Sequence, residues 1–326
     1  MKTSEPSRRE FVVQTAGLCA ATLGLASGAQ AQPGMGRTEA KGERVMDEVP
    51  PKGRMPLVFL PHGGGPWPFT HDPVVGNPRM YAEMSKYMTR LNMVPPHKPK
   101  AVLVISAHWE ESVPTVMTAE RPPMLYDYSG FPPETYQVKW PAPGAPELAG
   151  TIQSLLQNAG FPHATDKRRG FDHGVFVPLK LAYPEAEVPT LQLSLKRGLD
   201  AREHLAMGRA LAPLRDQGVF IVGSGMSYHN MRNLMGNFRR DPASTPILED
   251  SLAFDHWLAE TMSLEPSRRE TRLAEWQKAP SARSAHPREE HLVPLHVIAG
   301  AAGNDAATLP YRDVILGAQV CAVHFG

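Results

Sequence analysis

Four histidines in this chain stand where a fold could gather them for chemistry. His62 and His108 each close a short apolar run, Leu57–Leu60 and Ala101–Ser106. A third run, Val219–Gly223, leads through Ser224-Gly225-Met226-Ser227-Tyr228 into His229. His173 lies in Gly170-Phe171-Asp172-His173-Gly174-Val175. A neutral imidazole binds borderline divalent metals through one ring nitrogen while an acceptor orients the other. Imidazole is also the commonest acid–base group near neutral pH. The spacing 62, 108, 173, 229 fits no local metal motif, so only convergence in the fold would make these residues one site. Asp172, beside His173, is a candidate orienting carboxylate or local cap.

The elements that must position them read as an alternation of strands and helices. Leu57–Leu60, Ala101–Ser106, Pro189–Leu195, Val219–Gly223 and Val320–Phe325 read as buried strands. Tyr81–Leu91, Glu147–Ala159 (closed by Gly160), Leu248–Met262 and Leu292–Ala302 read as helices. This predicts an α/β fold, a single domain over 57–326 with a central mixed sheet flanked by helices. In open α/β sheets the loops at the carboxyl ends of strands build the ligand crevice, which is where His62, His108 and His229 fall.

Composition closes several doors. The chain has 326 residues, 42% hydrophobic and 21% charged, too apolar for a disordered protein. Lys and Arg number 34 against 33 Asp and Glu, so no basic excess points to nucleic acid. The 33 prolines are scattered rather than repeated, which predicts long ordered loops. Residues 1–31 read as a twin-arginine signal peptide. Ser7-Arg8-Arg9-Glu10-Phe11-Val12 precedes a modestly apolar stretch, and Ala29-Gln30-Ala31 offers a cleavage site. The expected location is the periplasm or beyond, with no membrane anchor after signal removal, and 32–56 reads as a flexible arm. Without Lys2, Arg8, Arg9, Glu5 and Glu10, the charges fall to 31 basic and 31 acidic. Cys19 would leave with the signal, and Cys321 alone can form neither an intramolecular disulfide nor a cysteine zinc site. Any metal must then sit on His, Asp or Glu.

Seven stretches, in order from about residue 57 to 300, resemble the class III (LigB-type) extradiol aromatic ring-opening dioxygenases, in the branch of the DOPA 4,5-extradiol dioxygenases. They are His62-Gly63-Gly64-Gly65-Pro66; Ser106-Ala107-His108-Trp109; Tyr126-Asp127-Tyr128 with Gly130-Phe131-Pro132; Tyr136-Gln137 with Pro141-Ala142-Pro143-Gly144; Phe171-Asp172-His173-Gly174 with Val177-Pro178-Leu179; Gly223-Ser224-Gly225 with His229-Asn230; and His286-Pro287 with Glu290-His291 and Pro294-Leu295.

The resemblance implies a non-haem metal site with His62, His108 and His229 as ligands, and His173 as acid–base or as a further neighbour of the metal. It implies Fe(II) for activity, because zinc, an alternative occupant of an all-histidine site, has no redox chemistry. It implies a small catechol-type substrate, DOPA-like or plant- or lignin-derived, opened with O2 to a muconic semialdehyde. Asp172, Tyr128, His286 and His291 are candidate supporting or substrate-facing residues, and Glu290 shares the last motif. Glu110 is an alternative carboxylate ligand, read more readily as a solvated loop acid. Two other readings use the same pocket: a zinc-dependent hydrolase, with His173 as base for a metal-bound water, and a periplasmic metal-binding protein.

Overall fold

A computed structural model describes residues 53–70 and 77–326. The signal peptide expected over 1–31 and most of the arm expected over 32–56 lie outside the described residues. Of the arm's end, Met55 is buried and its amide donates to the Arg215 carbonyl, so packing begins before Leu57.

The described residues hold eight strands: β1 (Leu57–Pro61), β2 (Ala101–Glu111), β3 (Thr115–Met117), β4 (Ala164–Asp166), β5 (Thr190–Lys196), β6 (Val219–Gly225), β7 (Ala307–Ile315) and β8 (Ala318–Phe325). They form one sheet in the order β4-β3-β5-β2-β6-β1-β8-β7. The central four, β5-β2-β6-β1, are parallel, and β8 and β7 add an antiparallel edge beyond β1. Central parallel strands are covered on both faces, which is why Ala101–Ile105 is an unbroken apolar run.

Nine α-helices cover this sheet among the described residues: α1 (Pro78–Met88), α2 (Pro146–Asn158), α3 (His173–Ala182), α4 (Ala201–Leu211), α5 (Met231–Asn237), α6 (Glu249–Met262), α7 (Pro266–Ala274), α8 (Ala282–Ala285) and α9 (Val293–Ala302). The two faces can be read from neighbouring residues of β6, because successive side chains point opposite ways. A side chain at Gly223 would collide with Ile298 and Pro294 of α9, whereas Ser224 reaches α3 on the other face. The fold is the expected α/β domain with a mixed sheet. Strands β3, β4 and β7 and helices α3, α4, α5, α7 and α8 are additional to the sequence reading. β3 and β4 are only three residues long, and β7 is a polar edge strand that carries Pro310 within its register shift. α3 contains Pro178, which reads as a helix breaker.

Parallel strands end on one edge, and that edge carries the histidines. His62 follows the last residue of β1. His108 sits where the pairing of β2 with β5 shifts between Ile105 and Glu110, an irregularity that re-aims a side chain. His229 lies four residues beyond β6, its amide held by the Ala285 carbonyl. His173 is the first residue of α3.

Candidate active site

Five imidazoles meet at this edge. His62, His108 and His173 offer ligand atoms within 4.8 Å of one another. His229 and His291 stack with ring centroids 3.4 Å apart, and the His291 ring lies 5.2 Å from His62 and 4.9 Å from His108. A cavity of about 540 Å³ opens onto all five.

Four of the five rings are held through Nδ1, and the partners define their tautomers. The Ser224 hydroxyl donates to the Gly174 carbonyl at 2.5 Å, so its oxygen can only accept from His62 Nδ1, 2.9 Å away. His173 Nδ1 donates to Asp127 Oδ1 at 2.9 Å, and the same oxygen accepts the His173 amide at 2.9 Å. Glu290 Oε1 accepts from His291 Nδ1 at 2.9 Å and from His229 Nδ1 at 3.2 Å. His108 Nδ1 faces Asp127 Oδ2 at 3.7 Å. In those four rings, with Nδ1 carrying the proton, Nε2 presents a bare lone pair. His62 Nε2 and His108 Nε2 are 3.1 Å apart. Two ring nitrogens converging at that distance fit a divalent cation, and a carboxylate behind the ring is a usual orienting partner of metal-bound histidine.

The electrostatics agree with neutral rings. Burial first, and then the neighbouring histidines, hold His62 and His291 well below the usual histidine range. Burial and His173 depress His108 to about 3, against the opposing pull of Asp127. Burial alone would raise the Asp127 carboxyl, but hydrogen bonds from His173 outweigh it and bring it to about 2. Burial likewise opposes ionisation of Glu290, and the hydrogen bond from His229 again prevails.

The sequence-named residues divide. His62, His108 and His173 form the compact trio. His229, the third ligand expected from the resemblance, belongs to the adjoining group with Glu290 and His291. Asp172 makes no hydrogen bond to the His173 ring and does not cap α3 with its side chain. It accepts from Ser106 Oγ at 2.7 Å and pairs with Arg169 at 2.6 Å, and Ser106 in turn accepts the His108 amide. Asp172 thus supports His108, because the chain turns at the start of α3 and aims its carboxylate at β2. His286 is buried away from the cavity, its Nε2 donating to the Ser227 carbonyl at 3.0 Å. Tyr128 does line the cavity, with its ring 6.0 Å from that of His173 and its hydroxyl donating to the Thr135 carbonyl. Glu110 pairs with Arg288 at 2.5 Å and joins neither ligand group.

Asp127 and Ser224 are the residues whose roles the sequence reading lacked. Both lie inside quoted motifs, but Asp127 is 46 positions from His173 and Ser224 is 162 from His62, so nothing local links them. Of the aromatic stretch 126–140, Tyr128 and Phe131 face the cavity, while Trp140 is buried against Phe171 and donates to the Tyr183 carbonyl.

Comparison with known proteins agrees with this geometry. The family described as the catalytic LigB subunit of aromatic ring-opening dioxygenase matches residues 75–316. A 4,5-DOPA dioxygenase extradiol of Beta vulgaris is 48% identical over 210 residues, 64% of this chain and 75% of that protein. A dioxygenase of Hapsidospora irregularis is 36% identical over 84% of this chain and 86% of its own length. The 4,5-DOPA dioxygenase extradiol of Escherichia coli is 32% identical over 84% of this chain and 95% of its own length. Among solved structures, an uncharacterised protein of Escherichia coli K12 superposes with a TM-score of 0.67 at 30% identity, covering 84% of this chain and all of that one. The chain belongs to the LigB family, and it is a metal-dependent extradiol ring-opening dioxygenase. That class replaces the hydrolase and metal-carrier readings of the same pocket.

Proposed function

We propose that the chain opens a catechol ring beside its diol with O2, giving a muconic semialdehyde, at an Fe(II) centre held by His62, His108 and His229. The observation that carries this reading is the gathering of five imidazoles on one aromatic-lined cavity, with His62 Nε2 and His108 Nε2 3.1 Å apart. Iron bound there supplies redox chemistry with O2 and charge that favours loss of the catechol protons; zinc supplies the charge alone.

The protein's own part is proton handling and exclusion of water. His173, with Nδ1 committed to Asp127, presents Nε2 to accept a catechol proton and later return it to an oxygen of the opened product. The ionised Asp127 stabilises the imidazolium formed in between, as a carboxylate behind a catalytic histidine does. Tyr128 and Phe131 offer aromatic surface to the ring. The compactness of His62, His108 and His173 favours a second reading, in which His173 is itself a ligand.

Anaerobic Fe(II) reconstitution followed by oxygen uptake with a catechol panel tests the activity, with zinc-loaded protein as control. Iron-dependent uptake with a yellow product is expected; no uptake with any catechol would overturn the proposal. His173→Ala separates the two roles: retained iron with turnover reduced about 10²-fold or more marks an acid–base, and lost iron marks a ligand. We further propose export by the twin-arginine route, for which replacing Arg8 and Arg9 with Lys should hold the protein in the cytoplasm.

A further inference from the structure

Beyond its histidines and the hydroxyls of Tyr81, Tyr128 and Ser129, the cavity is lined by glycines and apolar side chains. Met231, Leu234 and Met235 of α5 line one part of it, continued by Phe238 and by Ile315 and Leu316 at the β7–β8 turn. Met231 and Met235 are half exposed and one helical turn apart. Among the described residues no Lys or Arg lines this cavity. Two guanidiniums near the histidines are committed elsewhere: Arg169 to Asp172 and the His108 carbonyl, and Arg288 to Glu110 and Glu290. Arg232 of α5 is exposed and does not line the pocket.

A catechol diol has to lie against the histidines, so any substituent on its ring extends toward this wall. A carboxylate there would leave water for apolar surface without a cation to meet it, a strongly unfavourable transfer. An ester or alkyl chain would gain by burial against the same surface, and methionines adapt to varied shapes. At about 540 Å³ the cavity is in the range that takes a ligand considerably larger than one bare ring. We propose that the preferred substrate is a catechol bearing an uncharged, apolar substituent, which lies along Met231, Leu234, Met235 and Phe238. This rests on the ring-opening reading above and names the substrate class for that site.

The test uses matched pairs, caffeate against methyl caffeate and 3,4-dihydroxyphenylpropionate against its ethyl ester, on the full chain loaded with Fe(II). Binding is measured by calorimetry under nitrogen, where no turnover occurs, and kcat/KM is then measured with O2. The esters should bind at least about tenfold tighter and turn over with correspondingly higher kcat/KM, the scale on which a hydrophobic pocket discriminates. Met235→Arg should move the acid-to-ester ratio at least about tenfold toward the acids. Equal or tighter binding of the acids overturns the proposal, and loss of that preference in Arg232→Ala would identify Arg232 as the cation responsible. An ester preference that Met235→Arg leaves unchanged overturns the assignment to this wall. Binding of neither member of a pair overturns it as well. Ester preference under nitrogen with no oxygen uptake would sink the ring-opening reading while leaving the pocket's preference standing.

Discussion

The amide that Pro178 lacks and the Nδ1 of His62 are linked through one hydroxyl, that of Ser224. In α3 the carbonyl of Gly174 would ordinarily accept from residue 178, and proline has no N–H to give. The Ser224 hydroxyl fills that place, and the oxygen left over accepts from His62 Nδ1. His62 Nε2 is thereby bare and turned toward His108.

Ser224→Ala removes both links. A carbonyl left without a donor in a buried site is worth about 1–3 kcal/mol of lost stability, and loss of the partner behind a metal histidine lowers metal affinity about 10–100-fold. Adding Pro178→Ala returns an amide to Gly174. The double variant should recover its melting temperature while metal affinity, read by chelator competition, stays low. Recovery of both would show that Ser224 acts only through the helix.

Asp127→Asn keeps an oxygen that can accept the His173 amide and removes the charge behind the ring. The fold should persist by circular dichroism, iron should be retained, and kcat should fall about 10²–10⁴-fold. A variant with wild-type kcat would exclude Asp127 from proton handling.

Gly174 leaves no room for a side chain. A Cβ there would lie 2.8 Å from Ser106 Oγ and 3.1 Å from His108 Cδ2. Ser106 also holds the His108 amide, so Gly174→Ala should push both residues and weaken metal binding more than about tenfold, with a loss of stability of about 1–3 kcal/mol, as expected for overpacking. Unchanged metal affinity would mean that His108 tolerates the shift.

The buried histidines outside the cavity make the metal-free protein acid-sensitive. Burial depresses His286 to about 3 and His296 to about 4 from the usual 6.5. Between those values the unfolded chain binds protons that the folded chain refuses. Stability is therefore complete above about pH 6.5 and is lost as pH falls toward 4 and below, by about 1.4 kcal/mol per pH unit for each such residue. Melting temperature should drop steadily through this window, and His296→Gln should flatten part of the slope. A flat profile would contradict the burial argument.

Several elements were legible in the chain because their causes are local. The run Ala101–Ile105 is apolar throughout because the strand is covered on both faces, and β1 and β6 read the same way. The Tyr81–Leu91 and Glu147–Ala159 patterns end within a few residues of α1 and α2. Other elements were hidden for equally physical reasons. α3 carries an internal proline whose vacated carbonyl is satisfied from another strand, and β7 is a polar edge. Asp172 looked like the partner of His173 because it is adjacent, but side chains that follow one another at a helix start point apart.

What the sequence determined by itself is the cast: neutral-pH ligands and acid–bases at the ends of buried strands, in motifs that resemble the LigB family. Those depend on residue type and on patterns a few positions long. Only the tertiary structure decided the pairings, Asp127 with His173, Ser224 with His62, Glu290 with both His229 and His291, and which apolar residues wall the cavity. Apart from Glu290 with its neighbour His291, these are contacts between segments tens to more than a hundred positions apart, brought together by the order of strands in the sheet, and no local pattern in the chain records them.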